Sequence, residues 1–519
     1  MKLPKLKLGR AEDALPPAPL PLHSELSLGG SPPRALSAPV LLLFFLPALL
    51  LLKKFKSKPS TWQLFRAKME AEGLDAVAIR AFKYNFDKLT SGESLLLPES
   101  SITPVNELPS YATLTEEDPS FLKCTVLLKL NGGIGTGMGL EKAKSLLPVR
   151  DGITFLDFIA RQVLYMRRKF GVELAFMLMN SFSTSEDTLA ALAKYDTLAA
   201  DLPLEFLQNK APKIVKETLT PAEYSENPAL EWCPPGHGDL YTALLGSGTL
   251  DTLLAKGFKY MFVSNSDNLG ATMDVKLLTW FAKSGAPFAM EVALRTAADK
   301  KGGHLARGPS GGLLLRELAQ CPDEDADAFQ DVSKHKFFNT NNLWVNLEAL
   351  KTTLLKFDGV MPLPVISNGK TVNPRDKKST KVLQLETAMG SAIECFERAQ
   401  AILIPRSRFA PVKTTADLLA LSSDAYEITP DSRLVLKPER KGVPPTVKLD
   451  DCFKFVDQLA QLTRGGVPSL IKCEKLTVEG KVTFAAGVVI DGTVKFVNTG
   501  EEFALVQGKT YKDQTVQFS

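Results

Sequence analysis

The chain has 519 residues and a formal net charge of +4, with 45% of it hydrophobic and 23% charged. That length allows two or three domains around a large core, and the composition is that of an ordinary globular protein, which excludes collagen-like and wholly disordered classes. The mild charge carries no nucleic-acid footprint, and six scattered cysteines (124, 233, 321, 395, 452, 473) without metal-ligand spacing imply reduced thiols in a cytoplasmic setting.

Residues 1–58 differ from the rest, being rich in Pro, Leu and Ser, with an apolar run at 40–52 broken by Pro47 and followed by a basic stretch at 53–58. Thirteen apolar residues fall short of the roughly twenty that span a bilayer, and a secretory leader carries its charge before the apolar run. Two readings stay open for this extension. One is a weak membrane anchor or organelle-targeting leader; the other is an untethered tail. A globular region begins near Thr61. The spacing of Leu64, Phe65 and Met69 predicts a helix over 61–73, ended by Gly73, and a second helix is expected over 82–89. The proline-rich stretch 98–114 is expected to wrap the surface.

From Lys123 the pattern alternates strand and helix, which predicts an α/β core with a mostly parallel sheet. Strands are expected at 124–130, 174–179, 204–207, 259–264 and 288–294. Thr154 and Asp157 form a capping box for a helix that buries Phe155, Phe158, Ile159, Gln162 and Val163, and another helix is expected over 186–195.

The first of these strands runs into Leu130-Asn131-Gly132-Gly133-Ile134-Gly135-Thr136-Gly137-Met138-Gly139, with five glycines in eight positions and Lys144-Ser145 just beyond. Glycines there let another molecule approach the backbone amides, and successive N–H groups after a strand make an anion cradle. Lys144 would add a full charge. The Walker pattern fails at Ala143-Lys144-Ser145, and the dinucleotide pattern fails at Met138. The loop alone therefore says phosphate binding or a tight structural turn.

Further stretches ask for a chemical explanation. In Pro234-Pro235-Gly236-His237-Gly238-Asp239 a rare histidine sits between glycines, as a ligand or as a satisfied loop residue. Asp267, in Asn265-Ser266-Asp267-Asn268, follows an apolar strand; it could hold Mg²⁺, which takes one or two carboxylates plus substrate phosphates, or it could cap a turn. The stretch Phe338-Asn339-Thr340-Asn341-Asn342-Leu343-Trp344 suits sugar recognition or a plain Asn-rich turn, and Lys413 meets a phosphate or is solvated surface.

In this order, the loop 130–144, Met179-Asn180-Ser181-Phe182, 234–239, 263–270, Lys301-Gly302-Gly303, 338–344, 384–388 and 405–415 resemble eukaryotic UDP-glucose pyrophosphorylase, from Thr61 to the C-terminus. The resemblance implies a Rossmann-like nucleotidyltransferase core with a mixed, mostly parallel sheet and a C-terminal left-handed β-helix. That gives four regions: an extension at 1–58, an N-terminal region at 59–122, the core at 123–420 and the β-helix region at 421–519. The tail fits, since residues 476–494 hold short β-prone runs broken by Gly.

The implied reaction is UTP + glucose 1-phosphate ⇌ UDP-glucose + pyrophosphate with Mg²⁺ as cofactor. Carried over by position, Leu130, Asn131, Gly132 and Gly133 hold the uridine and approach the phosphates, and Lys144 neutralises the triphosphate. Gln208 and Gly236 read the uracil. His237 touches the sugar phosphate, Asn265 lies on the sugar nucleotide and Asn341 contacts the glucose. Asp267 binds Mg²⁺ and Lys413 grips the reacting phosphates. The family usually reads Lys-Gly-Pro-Lys-Ser where this chain has Glu141-Lys142-Ala143-Lys144-Ser145, so the turn closing the loop loses its Gly-Pro. Family members that assemble through the β-helix have a longer C-terminus, so an oligomer through that region and a monomer both remain open.

Three alternatives are weighed. A UDP-sugar or UDP-N-acetylhexosamine pyrophosphorylase usually opens the loop with Leu-Ala-Gly-Gly, and Asn131 argues for the glucose enzyme. A glycosyltransferase would carry Asp-x-Asp, where Asn265-Ser266-Asp267 has one carboxylate. A non-catalytic sugar-nucleotide scaffold predicts lost site charges, yet Lys144, Asp267 and Lys413 all remain.

Overall fold

A computed structural model describes residues 60–518. The apolar run at 40–52 and the basic stretch after it lie outside the described residues. Among the described residues no helix is long and apolar enough to cross a membrane, and all six cysteines are free thiols.

The first helix, α1 (Thr61–Ala71), starts at a capping box in which Ser60 and Gln63 satisfy each other's backbone N–H groups. The second, α2 (Ala76–Thr90), starts earlier than its apolar spacing predicts, because the Asp75 carboxylate accepts from the amides of Val77 and Ala78. Phe65, Phe82 and Phe86 form an aromatic trio, with Phe65 4.9 and 5.1 Å from the other two ring centres. The trio docks this pair of helices on Ile214, Val365 and Leu385.

The central sheet has ten strands. Its middle is parallel: β1 (Thr125–Leu130) lies beside β2 (Ala175–Asn180), β2 beside β3 (Glu205–Leu207), and β1 also beside β4 (Tyr260–Asn265). β1 and β2 are buried along their full length, so they read as near-continuous apolar runs rather than alternating ones, with Lys129 the one charge in β1. Alternate side chains feed two cores. Leu127, Phe176 and Phe262 face the helix Phe155–Phe170 and the helix Val275–Ser284. Val126, Leu128, Met177 and Val263 face the helix Leu240–Gly246 and the helix Leu347–Lys356. The helix Phe155–Phe170 begins at the Thr154–Asp157 capping box and buries the stripe expected of it.

Beyond β4 the sheet turns antiparallel. The strand β5 (Phe288–Leu294) and the ten-residue β6 (Phe337–Asn346) pair antiparallel, and β6 pairs antiparallel with β4. The 338–344 stretch is thus a strand inside the sheet and not an Asn-rich turn. The register between β5 and β6 shifts at Glu291/Val292, where Thr340 and Asn341 are extra residues, and Asn341 takes φ 57. Such a bulge bends a strand and re-aims a side chain. The 98–114 stretch does not merely wrap the surface: Ile102 and Val105 are buried, and Thr103–Pro104 pairs at the sheet edge with Arg307 and Ala306.

The C-terminal region stacks parallel strands. Ser469–Glu479, Val489–Asn498 and Thr510–Phe518 pair in sequence, and Val482–Phe484 pairs with Ala504–Val506 on a second side. Leu476, Val494 and Phe496 are fully buried inside it.

Candidate functional site

In an open α/β sheet ligands bind beyond the carboxyl ends of the parallel strands. Leu130 and Asn265 are register partners at the ends of β1 and β4, and Asn180 ends β2. The glycine loop and the 265–270 turn therefore leave the sheet side by side.

Asn131 starts the loop without facing solvent. Its backbone N–H donates to Met179 O at 2.8 Å, and its amide donates to Asn180 Oδ1 at 2.7 Å and to the Thr188 hydroxyl at 3.0 Å. The Gly132 carbonyl accepts from the Ser181 hydroxyl at 2.9 Å. The loop closes even without Gly-Pro, because the N–H of Lys144 donates to Gly133 O at 3.1 Å and Ala143 is buried. Gly139 sits against Phe455: a Cβ there would be 3.1 Å from that ring.

Lys142 and Lys144 part ways. Lys142 makes an exposed ion pair with Asp187. Lys144 turns inward, with Nζ 2.8 Å from Asp267 Oδ2 and a hydrogen bond to Val412 O. Val412 N–H donates to Asp267 O at 3.3 Å, and Lys413 is the next residue. The structure thus brings the Lys144 and Lys413 stretches, far apart in sequence, to one crevice. Lys413 is exposed; burial raises the pKa of the Glu317 carboxyl, and Lys413 nearby opposes that rise.

Asp267 Oδ1 is buried and accepts no hydrogen bond. An unsatisfied buried carboxylate oxygen calls for a partner, and a divalent cation fits it. Among the described residues no three His, Cys, Asp or Glu side chains cluster as a metal site. The cation would be Mg²⁺-like, held by one carboxylate with phosphates completing its shell.

On the other side of the crevice, Gln208 Nε2 donates to Gly236 O at 2.8 Å, so the two residues expected to read a base touch each other. Gly132 lies under Gln208, where a Cβ would come within 2.6 Å of Oε1, and Gly236 takes φ 81 with a Cβ position 2.5 Å from Thr387 O. The two glycines should therefore respond differently. Gly132→Ala displaces only the end of a flexible side chain and is expected to weaken nucleotide binding while the protein stays folded. Gly236→Ala meets backbone in a left-handed conformation and is expected to lower the melting temperature as well. Calorimetric titration with UTP and thermal unfolding of both variants separate the two effects.

His237 is not the open imidazole that flanking glycines suggest. It is partly buried, and its Nδ1 accepts from Met389 N–H at 2.9 Å. Nε2 therefore carries the proton and is the free donor. Burial lowers the pKa to about 4. The folded protein keeps this ring neutral where an unfolded chain, with a pKa near 6.5, protonates it, so acid below about pH 6.5 favours the unfolded chain. The expected result is that the wild type loses about 1–3 kcal/mol against His237→Gln between pH 6.5 and 4. Denaturant melts across that range check it, and parallel stability curves would refute it. Asp239, next to this loop, is buried and accepts from Asn209 N–H and its side-chain amide; burial raises its pKa to about 7.

Asn341 sits at the bulge, its Oδ1 accepting from Asn339 Nδ2 at 3.0 Å and its N–H donating to Asn339 Oδ1 at 2.9 Å. Three charged residues behind the site escaped the sequence reading. Lys129 is fully buried in β1 and donates to the Ser264 hydroxyl and Ala271 O at 2.7 and 2.6 Å. Burial, aided by Arg408, lowers its pKa to about 7. Glu291 and Arg408 form a buried pair beneath the 267–270 turn. A charge inside an apolar strand, as at Lys129 and Glu291, is the sequence signal that marks them.

Residues 79–491 match the family model described as UTP–glucose-1-phosphate uridylyltransferase. The chain belongs to the UTP–glucose-1-phosphate uridylyltransferase family. Among curated relatives in this family it is similar to the enzyme of that name from Solanum tuberosum, 41% identical over 78% of this chain and 82% of the relative. The Saccharomyces cerevisiae uridylyltransferase is 39% identical over 87% of this chain and 89% of its own. Among solved structures, UDP-glucose pyrophosphorylase from Leishmania major superposes with a TM-score of 0.84 at 49% identity, covering 89% of this chain and 100% of that one. The Trypanosoma brucei structure, described as UDP-glucose phosphorylase, gives 0.83 at 48% over the same shares.

Proposed function

We propose that this protein transfers the uridylyl group of UTP to glucose 1-phosphate, reversibly, forming UDP-glucose and releasing pyrophosphate. The observation that carries the reading is the meeting of Lys144, Asp267 and the Val412–Lys413 backbone beside a glycine loop, in a member of this uridylyltransferase family.

Both reactants are anions, and the chemistry needs them in contact. A phosphate oxygen of glucose 1-phosphate attacks the α-phosphorus of UTP in line; a new O–P bond forms, the bond from the α-phosphorus to the bridging oxygen breaks, and pyrophosphate leaves with the electron pair. No covalent bond to the protein is required, so positioning and charge neutralisation supply the rate. In this reading Leu130, Asn131, Gly132 and Gly133 seat the uridine and present amides to the phosphates. Gln208 and Gly236 read the uracil edge. Lys144 and Lys413 neutralise the reacting phosphates. His237 offers its Nε2–H to the sugar phosphate, Asn265 lies on the sugar nucleotide, and Asn341, aimed by the bulge, meets the glucose. Asp267 would hold Mg²⁺, which supplies charge neutralisation and alignment of the phosphates when bound.

The same reading takes the C-terminal parallel strands as a left-handed β-helix; their parallel pairing in two sheets and buried apolar interior support that. Assembly through that region, a cytoplasmic location and the division at 59–122, 123–420 and 421–519 belong to the same proposal. The test is pyrophosphate release from UTP across a panel of sugar 1-phosphates, with and without Mg²⁺. Release with glucose 1-phosphate and Mg²⁺ is expected to dominate. Preference for an N-acetylhexosamine 1-phosphate would move the protein to a sister activity, and UTP binding without release would make it a scaffold.

A further inference from the structure

We infer that the buried Glu291–Arg408 pair is a positioning unit for the reaction: it fastens the 405–413 segment to the 267–270 turn and so fixes where Lys413 stands relative to Asp267. The role in turnover rests on the uridylyl-transfer reading; the fastening itself does not.

Glu291 lies mid-strand in β5 and is fully buried. Four donors fill its two oxygens: Arg408 Nε at 2.9 Å and Nη2 at 2.8 Å, Asn342 Nδ2 at 3.0 Å and Trp344 Nε1 at 3.0 Å. A buried ion pair gives back much of its Coulomb energy in desolvation, so net stability is a poor reason for its presence. What the pair does is geometric. With its side chain held in a two-pronged grip, the Arg408 backbone is fixed, and its carbonyl accepts from Asn268 Nδ2 at 3.1 Å. Asn268 Oδ1 in turn accepts from Ala410 N–H at 3.0 Å, and Asn268 bridges Pro411. Arg408 Nη2 also donates to Thr272 O at 3.0 Å, on the far side of the same turn.

Gly270 completes the contact, since a Cβ there would lie 2.9 Å from the Arg408 carbonyl carbon. One residue past Pro411 comes Val412, which holds Lys144 and Asp267 O, and then Lys413. Two chain segments that each carry a candidate-site charge are thus joined through Asn268 and through Arg408, whose guanidinium reaches Thr272 O and whose carbonyl meets Asn268. Neither Glu291 nor Arg408 lines the crevice, so both act through Asp267 and Lys413. The planar fork matches a carboxylate in a way that an ammonium cannot.

Two full-length variants test this: Arg408→Lys, which keeps the charge and loses the fork, and the doubly neutral Glu291→Gln/Arg408→Gln, which removes both charges of the pair together. In both, kcat is expected to fall at least ~30-fold with KM for UTP and glucose 1-phosphate within about threefold, the signature of an interaction used in the transition state. The amides of Ala410 and Val412 are expected to exchange hydrogen at least ~10-fold faster while core strands stay protected. Unchanged exchange and unchanged kcat in the double variant would overturn the inference. So would a lower melting temperature with full kcat per folded molecule, or a double variant that does not fold, since each assigns the pair a purely structural role. If the wild type itself releases no pyrophosphate, the transfer reading fails alone, and the exchange comparison still decides the fastening.

Discussion

Replacing Lys144 with methionine is expected to lower kcat/KM for uridylyl transfer by about three orders of magnitude. The estimate is a charge pair at ~4 Å with an effective dielectric of 20, worth about 4 kcal/mol, at about 1.4 kcal/mol per tenfold in rate. Lys144 is the better placed of the two lysines for so large an effect, because it is inward, only 18% exposed, and shared between Asp267 and Val412 O. Its loss also leaves Asp267 without a cation, so part of the effect is a displaced 412–413 backbone. Initial rates of pyrophosphate release at saturating UTP, alongside calorimetric UTP affinity, measure both parts. Lys142→Met is the control: its ammonium pairs with Asp187 at the surface, 69% exposed, and surface pairs contribute at most about 1 kcal/mol. Similar losses in the two variants would remove Lys144 from its special place.

The second large effect is expected at Asp267. Asp267→Asn keeps the side-chain shape and removes the charge that both Lys144 and a cation would share. Turnover supported by Mg²⁺ should drop about 10²–10³-fold, in the range set by loss of one charge-stabilising group, while the melting temperature changes little. Manganese relaxation titrations provide a readout apart from turnover, with tighter binding in the wild type than in the variant. Near-normal turnover in Asp267→Asn would reject the metal assignment. Retained manganese binding with lost turnover would instead assign Asp267 to holding Lys144.

The parts of this molecule that follow short-range rules could be read from the chain. The parallel middle of the sheet announces itself as apolar runs ending in glycine or asparagine, and the Phe155–Phe170 helix as a capping box followed by a 3.6-residue stripe. The glycine loop alone left phosphate binding and a tight structural turn both open, and part of its glycine content answers to packing, as at Gly139 against Phe455. The bulge at Asn341 was not legible, since it arises from a register shift against Glu291, 50 positions away in the chain. The start of the Ala76–Thr90 helix was missed because one carboxylate, Asp75, caps a stretch without marked periodicity. The partner of His237 was not legible, because it is Met389, on a segment that only folding brings near. Lys129, Glu291 and Arg408 matter because three distant segments meet there; a charge on an apolar strand marks Lys129 and Glu291 in the sequence, while Arg408 lies within the 405–415 stretch without a signal of its own.

Gly139 rests on Phe455, the residue before the helix Val456–Leu462. Leu459 and Leu462 of that helix belong to the same buried cluster as Leu470, Val482 and Phe484 of the stacked C-terminal strands. The tail is therefore a buttress for the glycine loop, though it brings none of the candidate groups to the crevice. On the proposed reading, damage there is expected to loosen the loop's hold on the nucleotide more than it disturbs His237 and Asn341, which are held by Met389 and Asn339.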